Sequence, residues 1–348
     1  MNSFFKRIAC LSIILMCSGC SEVKRSAPVI IPEKEEPIVH KYNRIENDKR
    51  LQIYRRVGQL DMVAVTPGSG VYANLVPEMK SMVDNYGINI FPEALENKNY
   101  YRCFDTEENR LKLFKKAIDS KHKIIWAVRG GFGSGFIIEG LSELPVPRIK
   151  KTLVGFSDIT SLHLFVIKNW GWKAIHAPVL MHLCKSQFTN ERFETLLNIL
   201  EGKVKKYSIG PIYPINRAAV KQKIIQGRLT GGNLTSVESS IGTNWEIQSK
   251  GKILFIEDIN MVPWWVYRTM IHLKEAGKLS GVKAIVFGRF SSGGSQADVT
   301  EFLKKFGEMV DIPVFVTNEF GHGNVNYPIV YNAIGTIHGK KMTIDIDD

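Results

Sequence analysis

Short apolar runs alternate with amphipathic stretches along most of this chain, and the alternation predicts its elements in order. Asp61 to Thr66 (DMVAVT) is apolar and β-branched and leads into PGSG, which predicts a strand and its loop. A helix is expected over Asn74 to Asn85, and another strand over Ile88 to Phe91. Asp105 and Glu108 bracket a helix start, after which Leu111, Phe114 and Ile118 recur on one side as far as Ser120. Ile124 to Val128 and Lys151 to Phe156 read as buried strands, and Thr160 to Lys168 as a helix. The economical reading of residues 51–184 is an α/β domain with a mostly parallel sheet.

Ser186 to Gly202 reads as a helix, and Lys203 to Lys223 as a basic, proline-containing stretch, so residues 185–223 are expected to cross between domains. Residues 224–348 change character. Strands are expected at Lys252 to Ile256, Val282 to Phe287 and Val314 to Thr317, with helices at Tyr267 to Glu275 and Val299 to Met309. This predicts a smaller, β-rich α+β C-terminal domain.

Between the strand ending at Val128 and the apolar residues from Phe136 lies RGGFGSG, Arg129 to Gly135. Gly130, Gly131, Gly133 and Gly135 surround Ser134, which leaves its hydroxyl accessible and lets the backbone make a tight strand-to-helix turn. Phe132 and Phe136 stand where a Gly-x-Ser-x-Gly elbow has glycine, and no P-loop lysine or complete dinucleotide fingerprint follows. A nucleophilic Ser134, a plain tight turn and an anion-binding nest all remain open.

The N-terminus changes the picture of where such chemistry would act. Lys6 and Arg7 precede an apolar run too short for an ordinary membrane span, and Ser18 and Gly19 precede Cys20. Residues 1–19 are read as a signal peptide and Cys20 as an acylated lipobox cysteine, with Cys17 in the place of the usual leucine. An ordinary signal peptide or a hydrophobic anchor is the competing reading. Residues 20–50 are charge-rich, carry Pro28, Pro32 and Pro37, and are expected to tether the protein to a lipid bilayer. The implied location is the bacterial cell envelope, on the periplasmic face of the outer membrane in a Gram-negative host.

Removal of such a leader would leave Cys20, Cys103 and Cys184, too few and too far apart for a disulfide scaffold. The formal charge of +12, or +10 without Lys6 and Arg7, favours an acidic partner. An anionic envelope polymer suits the export signal. Nucleic acid is not expected, because there is no arginine-rich helix with aromatic platforms and no zinc-finger spacing.

A nucleophilic serine needs a base. Among eight histidines, His322 is flanked by Gly321 and Gly323 just beyond a predicted strand, a loop position from which it could act. A carboxylate must then orient the ring, and Glu257 and Asp258 stand where the strand GKILFIED ends its apolar run. Two-residue periodicity does not choose between them. Ser157, two residues after Gly155 and followed by Asp158, is a second reachable serine. Neither a Cys/His ligand cluster nor a His-Glu-x-x-His motif is present, so no metal and no other cofactor is expected.

RGGFGSG, GFSDITSLH, GRLTGGNL, ILFIEDI, GRF and FGHG follow one another in an order and spacing that resemble the LD-carboxypeptidase family, which includes the microcin-immunity serine peptidases. The resemblance runs from Leu51 to the C-terminus. It implies a two-domain serine peptidase with a Ser-Glu-His triad, carried over here to Ser134, Glu257 and His322, and often a homodimer. It also implies that GFSD supports the pocket, so that Ser157 and Asp158 are expected beside the substrate, with Asn233 as a pocket hydrogen-bonder. The family usually has tyrosine where this chain has Phe132, which puts a local contact in doubt.

On that reading His322 takes the serine proton, Glu257 holds the ring, and amides of Gly131 or Gly135 meet the oxyanion. Arg129 is a candidate for the substrate's terminal carboxylate. The implied substrate is murein tetrapeptide losing its terminal D-alanine. A microcin-like peptide nucleotide, an endopeptidase action on crosslinked murein, and a murein-binding lipoprotein without activity are the alternatives.

Overall fold

The computed structural model describes residues 44–346, except 97, 99, 185–189 and 292–295. The leader, Cys20 and the charged stretch as far as residue 43 lie outside the described residues. A helix, Arg44–Gly58, begins inside the expected tether. Ile53, Tyr54 and Val57 form its buried face, and the Tyr54 hydroxyl donates to Leu183 O at 3.0 Å.

The first sheet contains β1 (Met62–Val65), β2 (Ile124–Ala127), β3 (Thr152–Gly155) and β4 (Lys173–His176), side by side in that order and all parallel. β1 and β2 are buried along their whole length, as sheets covered on both faces require. The segment expected as a strand at Ile88 to Phe91 makes only a single bridge, Ala64 to Ile90. Helix Glu107–Asp119 starts one residue later than its acidic bracket suggests, because Thr106 is the cap and accepts from Asn109 N at 3.3 Å.

The second sheet is mixed and wider. Its strands are β5 (Lys206–Ile209), β6 (Ile212–Pro214), β7 (Ile224–Asn233), β8 (Lys252–Ile259), β9 (Ala284–Ser291) and β10 (Val314–Gly321), followed after β11 (Ile329–Val330) by β12 (Ile334–His338) and β13 (Lys341–Asp345). The order is β5-β13-β12-β7-β8-β9-β10-β6, with β7 to β10 parallel and the outer strands antiparallel. The stretch expected as a basic crossing therefore supplies both edge strands of this sheet, β5 and β6. Their short length and polar alternation hide them in the sequence.

β11 belongs to the other sheet: it pairs antiparallel with β4, Ile329 opposite His176. A segment of the C-terminal half thus closes the N-terminal sheet. β2, β3 and β10 end just before Arg129, Ser157 and His322, and Glu257 lies among the last three residues of β8. Strand ends of parallel sheets are where loops of differing sequence converge.

Candidate active site

Ser157 begins a 3-10 turn, Ser157–Ile159, that runs directly into helix Thr160–Phe165. Its φ is +62°, an unusual conformation for a residue with a side chain and one that concentrates at functional turns. Phe156 before it is extended, so the chain reverses sharply between β3 and the helix. Gly155 and Gly130 make room: a Cβ on Gly155 would lie 3.1 Å from Ala127 Cβ, and one on Gly130 would lie 3.0 Å from Ser157 Cβ and 2.9 Å from Phe156 O. The glycine loop after β2 is packed against Ser157.

His322 faces this serine, with its Nε2 3.0 Å from Ser157 Oγ. Its Nδ1 is hydrogen-bonded to Glu257 Oε2. A carboxylate can only accept, so Nδ1 carries the hydrogen and the Nε2 lone pair is directed at the serine hydroxyl. Glu257 is fully buried and sits at a register shift between β8 and β9, between Ile256 and Asp258. Such a bulge re-aims one side chain; strand periodicity could not choose between the two carboxylates because β8 is buried on both faces from Ile253 to Asp258. Gly321, at φ +107°, lets the chain carry His322 over Glu257: a Cβ there would come within 2.8 Å of Glu257 Cβ and 2.7 Å of Arg289 O. The Phe156 ring closes one side of His322, with centroids 4.8 Å apart.

Burial disfavours protonation of His322, but the charge and hydrogen bond of Glu257, with the charge of Asp258 behind it, outweigh burial and hold the pKa above the ordinary histidine value. Asp258 itself is a scaffold. It accepts from Asn233 Nδ2 at 2.8 Å, Thr235 N at 2.9 Å, Thr235 Oγ1 at 2.7 Å and Ile259 N at 2.7 Å. Asn233 also caps helix Leu234–Ser239 through Ser236 N. Its carboxamide ties β7 to β8 and so braces the strand that carries Glu257.

The geometry corrects the expected place of Ser134. Its side chain is fully buried, and its hydroxyl donates to Asp158 O at 2.5 Å, while its amide donates to Asp158 Oδ2 at 2.8 Å. Ser134 therefore staples the glycine loop to the Ser157–Asp158 turn, and it is Ser157 that meets His322. Asp158, whose pKa burial raises against the pull of these bonds, is the other half of the staple. Gly135 lies one residue further into this turn, beside Ser161. A Cβ on Gly131 would strike Ser69 Oγ at 2.2 Å, so this glycine permits the close approach of the β1 and β2 loops. Arg129 lies over the Tyr72 ring at 3.9 Å and donates from Nη1 to Gly70 O at 2.7 Å.

One supporting residue escaped the sequence reading. Arg110 is buried and bonds Pro67 O at 2.7 Å, Gly133 O at 2.5 Å and Asp105 O at 3.1 Å, holding both loops from beneath. Its only signal was a charge preceding the apolar stripe of its helix. For Ser157 a signal did exist: a glycine two residues earlier and a helix immediately after, half of the elbow pattern. His163 and His176 are both fully buried; burial pushes His163 well down and His176 to about 3, so neither is poised as a base. Cys103 and Cys184 are buried free thiols.

Two family models match the chain, the LD-carboxypeptidase N-terminal domain over residues 63–177 and the LD-carboxypeptidase C-terminal domain over residues 226–337. A Rickettsia conorii protein named Putative carboxypeptidase is 40% identical over 81% of this chain and 89% of its own length. Among solved structures, the muramoyltetrapeptide carboxypeptidase of Oxalobacter formigenes shares the fold at a TM-score of 0.68, with 24% identity, over 82% of this chain and 98% of that one. A microcin C7 self-immunity protein shares it at 0.70, with 19% identity, over 83% and 96%. Matched in both halves by the family's own domains, and by a close relative along most of its length, this chain belongs to the LD-carboxypeptidase family.

Proposed function

We propose that this chain is a serine peptidase that removes the terminal D-amino acid from murein tetrapeptides, with Ser157 as nucleophile, His322 as base and Glu257 as the group that orients it. The observation that carries this reading is the continuous contact from Glu257 through His322 to Ser157 at a strand-turn-helix elbow. Ser157 Oγ attacks the carbonyl of the penultimate residue and gives its proton to His322 Nε2. The C–N bond then breaks, His322 returns that proton to the leaving amine, and water releases the acyl group by the same route. The amide of Asp158, directly after the nucleophile at the start of a helical turn, is the oxyanion donor we assign, together with Gly131 on the facing loop. Arg129 is our candidate for the free carboxylate.

A murein substrate agrees with the family and with the basic charge of the chain. Among the described residues no helix is long and apolar enough to cross a membrane; acylation of Cys20 is the means of attachment we propose, from the short apolar run and the Ser18-Gly19-Cys20 sequence. The test is incubation of the purified protein with murein tetrapeptide, tripeptide and crosslinked muropeptides, followed by product masses. Loss of one alanine from the tetrapeptide alone supports the reading; no product from any of them, with a folded protein, sinks it.

A further inference from the structure

Beyond the triad, the segment that leaves β8 after Glu257 carries an apolar surface that the proposed chemistry does not use. From Glu257 the strand runs through Asp258 to Ile259, turns at Asn260 with φ +60°, and enters helix Pro263–Glu275. Four apolar side chains on this short path are open to solvent: Ile259 at 39%, Val262 at 36%, Trp264 at 55% and Trp265 at 43%. The two indole rings are nearly parallel, 18° apart, with centroids 5.9 Å apart. Arg268 lies 4.9 Å from the Trp265 ring centroid and backs it.

The surface is held in place. Trp265 N donates to Val262 O at 2.9 Å, Val266 one residue further is fully buried, and the root of the loop is fixed by the bonds to Asp258. A pair of exposed, parallel indoles on an ordered helix start is therefore part of the fold rather than a frayed segment. Isolated exposed apolar residues are ordinary, but a cluster of tryptophans is uncommon on free surface. Flat aromatic faces with an adjacent guanidinium suit a ring that is apolar on its C–H faces and hydrogen-bonding at its edge. A pyranose has that character.

We infer that Trp264 and Trp265 form a stacking platform for the sugar that carries the peptide, so that the enzyme prefers muramoyl-tetrapeptide over free tetrapeptide. The inference rests on the murein reading above. In that substrate the sugar stands three residues from the scissile bond, roughly 10 Å along an extended chain. Trp264 and Trp265 follow Glu257 by seven and eight residues, so a short chain path joins the platform to the triad.

The experiment measures kcat and KM on muramoyl-tetrapeptide and on the free tetrapeptide for the parent, for Trp264→Ala/Trp265→Ala and for Trp264→Phe/Trp265→Phe. The parent should favour the sugar-bearing substrate, and the double alanine variant should lose about tenfold in kcat/KM on it, through KM, while its rate on free tetrapeptide stays unchanged. The phenylalanine pair should restore most of the preference. Equal losses on both substrates, or no sugar preference in the parent, would overturn the platform while leaving the peptidase reading standing. A shift to a smaller species in light scattering of the alanine variant would also overturn it, assigning the tryptophans to contact between two copies. Cleavage of neither substrate by the parent removes the murein reading and the platform with it.

Discussion

The Nε2 of His322 stands 3.0 Å from the hydroxyl oxygen of Ser157, while the hydroxyl of Ser134 is turned away onto the carbonyl of Asp158 at 2.5 Å. Two serines in adjacent glycine-bearing turns are thus given opposite tasks. Ser157→Ala should lower turnover by about three orders of magnitude or more with the fold intact, as loss of a triad member does. Ser134→Ala should keep its turnover near the parent's but lose about 1 kcal/mol of stability, because Asp158 O loses the Ser134 hydroxyl and keeps only the Thr160 amide. Muropeptide cleavage and urea unfolding of both variants check this. An inactive Ser134→Ala beside an active Ser157→Ala would exchange the roles.

The pH dependence follows from the sign of the His322 shift. The base works only when neutral, and Glu257 together with Asp258 raises its pKa against burial. The acidic limb of kcat/KM should therefore lie above the ordinary histidine value of about 6.5. Glu257→Gln removes the charge but leaves burial, so the limb should move to lower pH. Turnover should fall by up to about four orders of magnitude, because an amide can favour the wrong tautomer. A limb that does not move assigns it to another group.

Gly321→Ala tests the backbone that delivers His322. The added Cβ meets Glu257 Cβ and Arg289 O at a φ of +107°, so the ring must shift. A displacement of this kind should lower kcat by about 100-fold. Circular dichroism should show the same secondary structure, and unchanged kcat would show that the loop absorbs the methyl group.

Asn233 is expected to act on stability more than on binding. Asn233→Ala removes a helix cap and one of the donors to Asp258, at a cost of about 1–2 kcal/mol. A rise in KM with undiminished stability would instead place its carboxamide on the substrate.

Separate expression of residues 51–184 and 223–348 should give two inactive pieces. The first lacks Glu257 and His322, and it also lacks β11, which closes its own sheet against β4. Activity in the first piece alone would mean that the base lies elsewhere.

The sequence by itself determined much of this protein. Continuous apolar runs such as those at Ile124 and Leu254 can only be satisfied inside covered sheets, and glycines mark the places where loops come close to one another. A carboxylate at the end of β8 and a histidine after β10 were legible for the same local reasons, with the family motifs supplying their pairing. Tertiary structure decided what local pattern cannot carry. Glycine content reports how freely a backbone can turn, not where a hydroxyl points, and Ser134 has the more glycine-rich turn. The direction of Ser157 depends on Gly130 packing on it, on Asp158 taking up Ser134, and on β10 bringing His322 across a chain separation of 165 residues. The choice of Glu257 over Asp258 likewise rests on a bulge against β9 and on donors from β7 and the helix after it that occupy Asp258. These are contacts between segments remote in the chain, and they exist only once both sheets have formed.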